Sequence, residues 1–373
     1  MTSELSRFAA RLREVIRSYP ATGTFAGDFE CLALELFALQ YANNTPYRRL
    51  CDARGVSPQT IDEWTLVPSV PTSAFKDFDV SCLSPEQRTA TFHSSGTTVH
   101  RPSRHYHCAE SLAVYEESLW CWFRLQFLLS SPLACRAEAS GEGGSSLPFP
   151  PHMLFLTPPP SQAPRSSLVH MFETIRQRLS FPASAFFGET ISDGSWRLDF
   201  AAVARALNCV CDSDQPALVL GTAFSFVQLL DHLAEQGRRI DLPAGSRVME
   251  TGGYKGQSRA IPKGELRAMI TERLGVMPDN IISEYGMSEL SSQAYADPQF
   301  KFPPWARWQI VSPETSREAS EGEPGLIRIF DLANVASVLA VQTEDLGVRH
   351  AYGFELLGRA AQSEPRGCSL MAT

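Results

Sequence analysis

The sequence contains no CxxC pair, and its nine cysteines, at 31, 51, 82, 108, 121, 135, 209, 211 and 368, are odd in number and widely scattered. That excludes a small disulfide-stapled scaffold and fits a reducing cytosol. Long apolar runs are missing too. The strongest, WCWFRLQFLL around Trp120, is broken by Arg124 and falls short of the roughly 20 apolar residues a membrane-spanning helix needs. The opening MTSELSRFAARLREVIRSYP mixes charges into its apolar positions and lacks the apolar centre of a secretory signal. Nor is there an excess of positive charge: 33 Lys+Arg against 41 Asp+Glu leaves a net charge of −8. That disfavours a broad nucleic-acid surface but leaves room for a local basic site for a phosphorylated ligand. No internal repeat and no comparably strong Rossmann dinucleotide fingerprint is present. The expectation is a cytoplasmic protein with no integral membrane segment and no nucleic-acid partner.

What is there suits a large folded unit. A chain of 373 residues, 43% of them hydrophobic, can bury a substantial core, as two domains or as one large α/β unit with an appendage. Apolar residues at three- and four-residue spacing predict helices over 4–17 and 29–41, with another from 109 toward 129. A Gly-, Ser- and Pro-rich stretch at 136–151 reads as a surface loop before a buried strand at 152–157. Strands at 216–221, 247–250 and 280–283, with a helix at 224–235 between the first two, give the alternation of an α/β core. Further strands are predicted at 326–330 and 336–342.

The chemistry-bearing residues lie in the loops between these elements. Ser94, Ser95, Gly96, Thr97 and Thr98 combine small hydroxyl side chains with a glycine that permits close approach of a phosphate to backbone N–H groups. The segment lacks the GKS/T ending of a Walker A loop, and on composition alone it is equally an ordinary loop. Arg101 and Arg104 follow it, as anion contacts or as solvated surface groups. Thr251, Gly252, Gly253, Tyr254, Lys255 and Gly256 follow a predicted strand, with glycines for a sharp turn and a lysine able to pair with phosphate or carboxylate. In Glu284-Tyr285-Gly286-Met287-Ser288-Glu289, Glu289 is suited to magnesium at a phosphate site and Tyr285 to stacking on a base. The same residues also suit a helix cap and a core edge. Asp345 can accept two ribose hydroxyls and Arg359 can contact ribose or phosphate; both are also ordinary turn and surface residues.

In order, SSGTT at 94–98, PRSSLVHMF at 164–172, GTAF at 221–224, ETGGYKG at 250–256, EYGMSE at 284–289, EDLG at 344–347 and LLGRAAQSEPRGCSL at 356–370 make the chain resemble the LuxE-like acyl-protein synthetases. This family is related to the adenylate-forming acyl-CoA synthetases. The resemblance covers most of the chain, and the order of the motifs is far more specific than any one of them. It departs from the pattern at Val99, where related loops often carry glycine.

The resemblance implies an α/β fold: a large N-terminal adenylate-forming core with internal subdomains over 1–359, without the full mobile C-terminal domain of larger relatives, and a short acyl-acceptor tail at 360–373. It implies ATP and Mg2+ as cofactors. Ser94 to Thr98 would meet the phosphates, Tyr285 and Gly286 the adenine, Asp345 the ribose, Arg359 the nucleotide and Glu289 the magnesium. Thr222, Ala223, Gly252, Gly253 and Lys255 would border the substrate. Cys368 would attack the acyl-adenylate carbonyl and take the acyl group as a thioester. A partner NADPH-dependent acyl-protein reductase would then receive the acyl chain of a fatty acid or other carboxylic acid. A CoA-forming carboxylate ligase and a noncatalytic binding subunit remain alternatives. Aromatics at 120–123, 186–187 and 224–226 are candidates for an acyl tunnel or for core packing.

Overall fold

The computed structural model describes residues 1–22, 24–94, 101–129, 152–182, 185–192, 194–252, 261–296 and 298–360. Helices Ser3–Thr22, Phe29–Asn43 and Thr45–Ala53 come first, followed by a two-residue strand, β1 (Val70–Pro71). In the first helix Leu5, Phe8, Ala9, Leu12 and Ile16 are buried on one face, at the spacing that an amphipathic helix presents to a core. A hairpin of β2 (Ala90–His93) and β3 (Arg104–His107) leads into helix Ala109–Arg124, which ends in a π-helical turn, Leu125–Leu129, rather than running on as regular α-helix. Strand β4 (His152–Leu156), helix Ser167–Arg178 and a small hairpin, β5 (Gly188–Thr190) with β6 (Trp196–Leu198), come next.

From there helices and parallel strands alternate. Helix Phe200–Ser213 precedes β7 (Ala217–Thr222), helix Ala223–Glu235 precedes β8 (Arg247–Thr251), and helix Lys263–Leu274 precedes β9 (Ile281–Tyr285). The remainder is antiparallel: β10 (Ala294–Ala296), β11 (Phe300–Lys301), β12 (Ala306–Val311), β13 (Pro324–Asp331), β14 (Ala340–His350) and β15 (Gly353–Arg359). All but the two hairpins join one 11-stranded sheet, ordered β12-β13-β14-β15-β11-β10-β9-β8-β7-β4, with β1 alongside β14. Strands β4, β7, β8 and β9 are mutually parallel.

The parallel strands read as unbroken apolar runs because both faces are covered. Met153, Phe155, Leu218, Leu220, Met249 and Ile282 face the core shared with the N-terminal helices. Their alternates Leu154, Leu156, Val219, Val248 and Ile281 face the core under helices 200–213, 223–235 and 263–274. Among the aromatic candidates, Phe123 and Phe226 are fully buried, Phe186 stacks on Phe155 at 4.8 Å between ring centroids, and Trp120, Phe187 and Phe224 are half-buried. No described helix is long and apolar enough to cross a membrane.

The strand expected at 336–342 begins only at Ala340. Between β13 and β14 the apolar run is a buried loop whose backbone is bound by other segments: Gln40 Nε2 donates to the Asn334 carbonyl at 2.8 Å, Gln40 Oε1 accepts from Leu339 N at 2.7 Å, and Asn44 Nδ2 donates to the Ser337 carbonyl at 3.1 Å. The fully buried Asp331 carboxylate accepts from Ser291 N at 2.9 Å, Ser292 Oγ at 2.7 Å and Ala333 N at 2.9 Å. Burial nonetheless pushes the acid up to about 6. Replacing Asp331 with Ala strands these donors, and the expected loss is about 3 kcal/mol in chemical denaturation, with Asn recovering part of it.

Candidate active site

In open α/β sheets ligands bind beyond the carboxyl ends of parallel strands, where the backbone turns away from the sheet. Here those ends carry three of the motifs. Thr222 closes β7 and caps helix Ala223–Glu235, its Oγ1 accepting from Ser225 N at 3.0 Å. Ala223 is buried directly behind the cap. Thr251 closes β8 and is followed by Gly252 at φ +72, the left-handed backbone that glycine adopts without strain. Gly253 and Lys255 lie outside the described residues.

Strand β9 ends in Glu284 and Tyr285. Tyr285 is buried, and its hydroxyl donates to Asp345 Oδ2 at 2.9 Å. Arg359 Nε lies 3.7 Å from the other oxygen of Asp345, and the Asp345 N–H is held by Thr343 Oγ1 at 3.2 Å. Three residues separated by tens of positions thus meet at one edge. The agent is sheet registry: Asp345 on β14 lies opposite Arg359 on β15. Arg359 is largely exposed while Tyr285 is not, so the tyrosine's edge is packed among Phe300, Phe302 and Phe354.

The second convergence joins the start of the hydroxyl-rich loop to the EYGMSE segment. Ser94 and Ser103 hold each other: Ser103 N donates to Ser94 Oγ at 3.0 Å, and Ser94 N donates to the Ser103 carbonyl at 3.3 Å. Ser103 Oγ then reaches Ser288 Oγ at 3.3 Å, and Ser288 Oγ donates to Glu289 Oε2 at 2.9 Å. Since the Ser288 proton is used on Glu289, Ser103 is the donor in the middle link. Next to them His105 Nδ1 donates to the Ser288 carbonyl at 2.7 Å. Burial lowers this imidazole to about 4, so it is neutral and its tautomer is fixed by that bond. Ser95, Gly96, Thr97 and Thr98 lie outside the described residues, as does Cys368.

Glu289 is buried, and Asn334 Nδ2 donates to its backbone carbonyl at 3.0 Å. No group of three metal-ligating side chains occurs among the described residues. Magnesium held with a nucleotide takes one or two carboxylates and completes its shell with phosphate oxygens and water. The single oxygen-donor carboxylate at Glu289 fits such an ion.

The Glu284 side chain was not singled out by the sequence. It is buried, accepts from the Thr251 hydroxyl, and is pushed up to about 7 by burial. A side chain at Gly286 would collide with its carboxyl group. Ser103 and His105 were also missed; the signal available was a strand carrying polar residues, His105 and His107, at inward positions right after the loop. A surface depression of about 230 Å3 lies elsewhere, near the start of β4, lined by His152, Phe181, Phe187 and Cys209. None of the residues expected to hold nucleotide, magnesium or acid lines it, whereas the aromatic candidate Phe187 does.

Residues 154–373 match the family of acyl-protein synthetases, LuxE. The chain belongs to that family. It is 21% identical over 345 residues to a Vibrio harveyi protein named long-chain-fatty-acid–luciferin-component ligase, covering 90% of this chain and 84% of that one. The Aliivibrio fischeri protein of the same name is 22% identical over 326 residues, covering 85% and 78%. In three dimensions the LuxE-family chain superposes on a 2-hydroxyisobutyryl-CoA ligase in an open conformation with a TM-score of 0.60 at 13% identity, covering 86% of this chain and 64% of the ligase. The same ligase with R3-HIB-AMP gives 0.61 at 12% identity, over 89% and 67%. The fold is therefore the adenylate-forming α/β core, and the chain spans about two thirds of the length of these solved relatives.

Proposed function

We propose that this LuxE-family protein uses ATP to activate a carboxylic acid, a long-chain fatty acid in the fullest form of the reading, and passes the acyl group to Cys368. The observation that carries the proposal is the hydrogen-bonded run Ser94–Ser103–Ser288–Glu289. It ties the root of a phosphate-type loop to a buried carboxylate suited to magnesium. Family membership and the two ligase relatives support the same chemistry.

In this reading the acid's carboxylate oxygen attacks the α-phosphorus of ATP, forming acyl-AMP as pyrophosphate leaves. Ser94, with Ser95, Gly96, Thr97 and Thr98, holds the phosphates. Tyr285, Gly286, Asp345 and Arg359 hold the adenosine, Asp345 releasing Arg359 to accept the ribose hydroxyls. Magnesium at Glu289 would neutralise phosphate charge. Thr222, Ala223, Gly252, Gly253 and Lys255 border the acid. The Cys368 thiolate then attacks the acyl carbonyl, forming the thioester as AMP leaves. Residues 360–373 act as an acceptor tail, and an NADPH-dependent acyl-protein reductase is the partner that removes the acyl group.

The test is pyrophosphate release from ATP and Mg2+ with a panel of carboxylic acids, read beside the intact mass of the protein. Acid-dependent pyrophosphate with a hydroxylamine-labile acyl adduct is expected. Pyrophosphate without the adduct, and AMP release that needs CoA, selects the CoA ligase. No pyrophosphate with any acid overturns the adenylation reading.

A further inference from the structure

Two buried carboxyl groups sit at the ends of adjacent central strands. Glu250 on β8 accepts from Ser283 on β9, and Glu284 on β9 accepts from Thr251 on β8, so each strand end holds the other. Glu250 lies near Lys263. For Glu284 no cationic partner occurs among the described residues. It is enclosed by Tyr115 of helix Ala109–Arg124, Tyr295 of β10, Thr251 and Glu250, and both phenols resist ionisation, through burial first and the Glu284 charge second. The Tyr295 hydroxyl is itself buried without a hydrogen-bond partner. A carboxyl in such surroundings is costly to ionise, and a fold that needed only packing there would place an apolar residue.

We propose that Glu284 is a positioning residue: its carboxyl group, bound by the Thr251 hydroxyl, locks the ends of β8 and β9 together and fixes where the Gly252 turn and the Tyr285–Glu289 segment leave the sheet. Both flanking segments supply groups to the site described above, so the inference rests on the adenylation reading and extends it. Gly286 belongs to the same device, because any side chain there displaces the Glu284 carboxyl.

Burial holds this acid un-ionised up to about pH 7. Because its folded value lies above its unfolded one, its contribution to stability is fully present below the unfolded value near 4.5 and is lost as pH rises through about 7. The Thr251 hydroxyl, which binds the carboxylate more strongly than the acid, opposes this shift but is outweighed by burial, so ionisation on the alkaline side strains the enclosure rather than breaking the bond.

The experiment compares wild-type full-length protein with Glu284→Gln, Glu284→Ala, Thr251→Val and the Thr251→Val/Glu284→Ala double variant. Thermal midpoints are measured from pH 5.5 to 8.5, beside kcat and KM for ATP in pyrophosphate release. Glu284→Gln, which keeps an acceptor for Thr251, is expected to stay within about threefold of wild-type kcat at pH 6.5 and to lack the wild-type decline above pH 7. Its midpoint should gain on wild type as pH rises. Thr251→Val and Glu284→Ala should each lower kcat about tenfold with KM for ATP changed less than about threefold. The double variant should be no worse than either. Identical pH dependence of kcat and of the midpoint in wild type and Glu284→Gln, or losses that multiply in the double variant, overturns the proposal. If wild type releases no pyrophosphate, the adenylation reading fails and the midpoints alone decide the lock.

Discussion

Removing the Glu289 carboxylate is expected to lower acid-dependent pyrophosphate release at least about 100-fold, equivalent to roughly 2.7 kcal/mol of lost transition-state stabilisation. The charge is what matters. Glu289→Gln keeps an oxygen able to accept from Ser288 Oγ and leaves the backbone carbonyl bound by Asn334, so the fold survives while the charge that fits magnesium is gone. Glu289→Ala removes the acceptor as well and should be somewhat less stable. Titrating Mg2+ separates the two effects: the Gln variant should regain part of its rate at higher Mg2+, whereas a purely structural defect is indifferent to the ion. Activity of Glu289→Gln within threefold of wild type at all Mg2+ concentrations would remove Glu289 from the phosphate site.

Cys368→Ala should abolish the hydroxylamine-labile acyl adduct, at least about 100-fold by intact mass, while acid-dependent pyrophosphate release continues. Thioester formation needs a thiolate attacking a carbonyl, and five cysteines of the described structure are poorly suited to it. Burial pushes Cys51 up to about 11 and Cys82 and Cys121 up to about 12. Hydrogen bonding to Asp28 raises Cys31, and burial raises Cys211. An adduct that persists in Cys368→Ala would place the acceptor elsewhere. Loss of both adduct and pyrophosphate would mean that the tail takes part in adenylation itself.

The elements most legible in the sequence were those with one strong period or one strong burial demand. The spacing of Leu5, Phe8, Leu12 and Ile16 identified the first helix, and the apolar runs at 216–221, 247–250 and 280–283 identified three of the parallel strands, which the structure extends to Thr222, Thr251 and Tyr285. The run after Asp331 misled for a physical reason. A buried loop can be as apolar as a strand when buried polar side chains, here Gln40, Asn44 and Asp331, satisfy its turning backbone, and periodicity does not register them.

At the site, residue types in order marked Ser94, Tyr285, Glu289, Asp345 and Arg359, because a phosphate loop, a nucleotide edge and a metal carboxylate each require particular side chains. Their partnerships were invisible. Nothing local connects Tyr285 with Asp345, or Ser103 with Ser288, since those contacts depend on strands distant in sequence lying side by side. Glu284 is the sharpest case. In the sequence it is one more acid in a polar motif, and only enclosure between Thr251, Tyr115 and Tyr295 makes its protonation state part of the site. The sequence by itself determined the family, the α/β core and the chemical alphabet of the site. Tertiary structure alone decided which of those groups touch and which are desolvated, because both depend on strand order and burial rather than on neighbours along the chain.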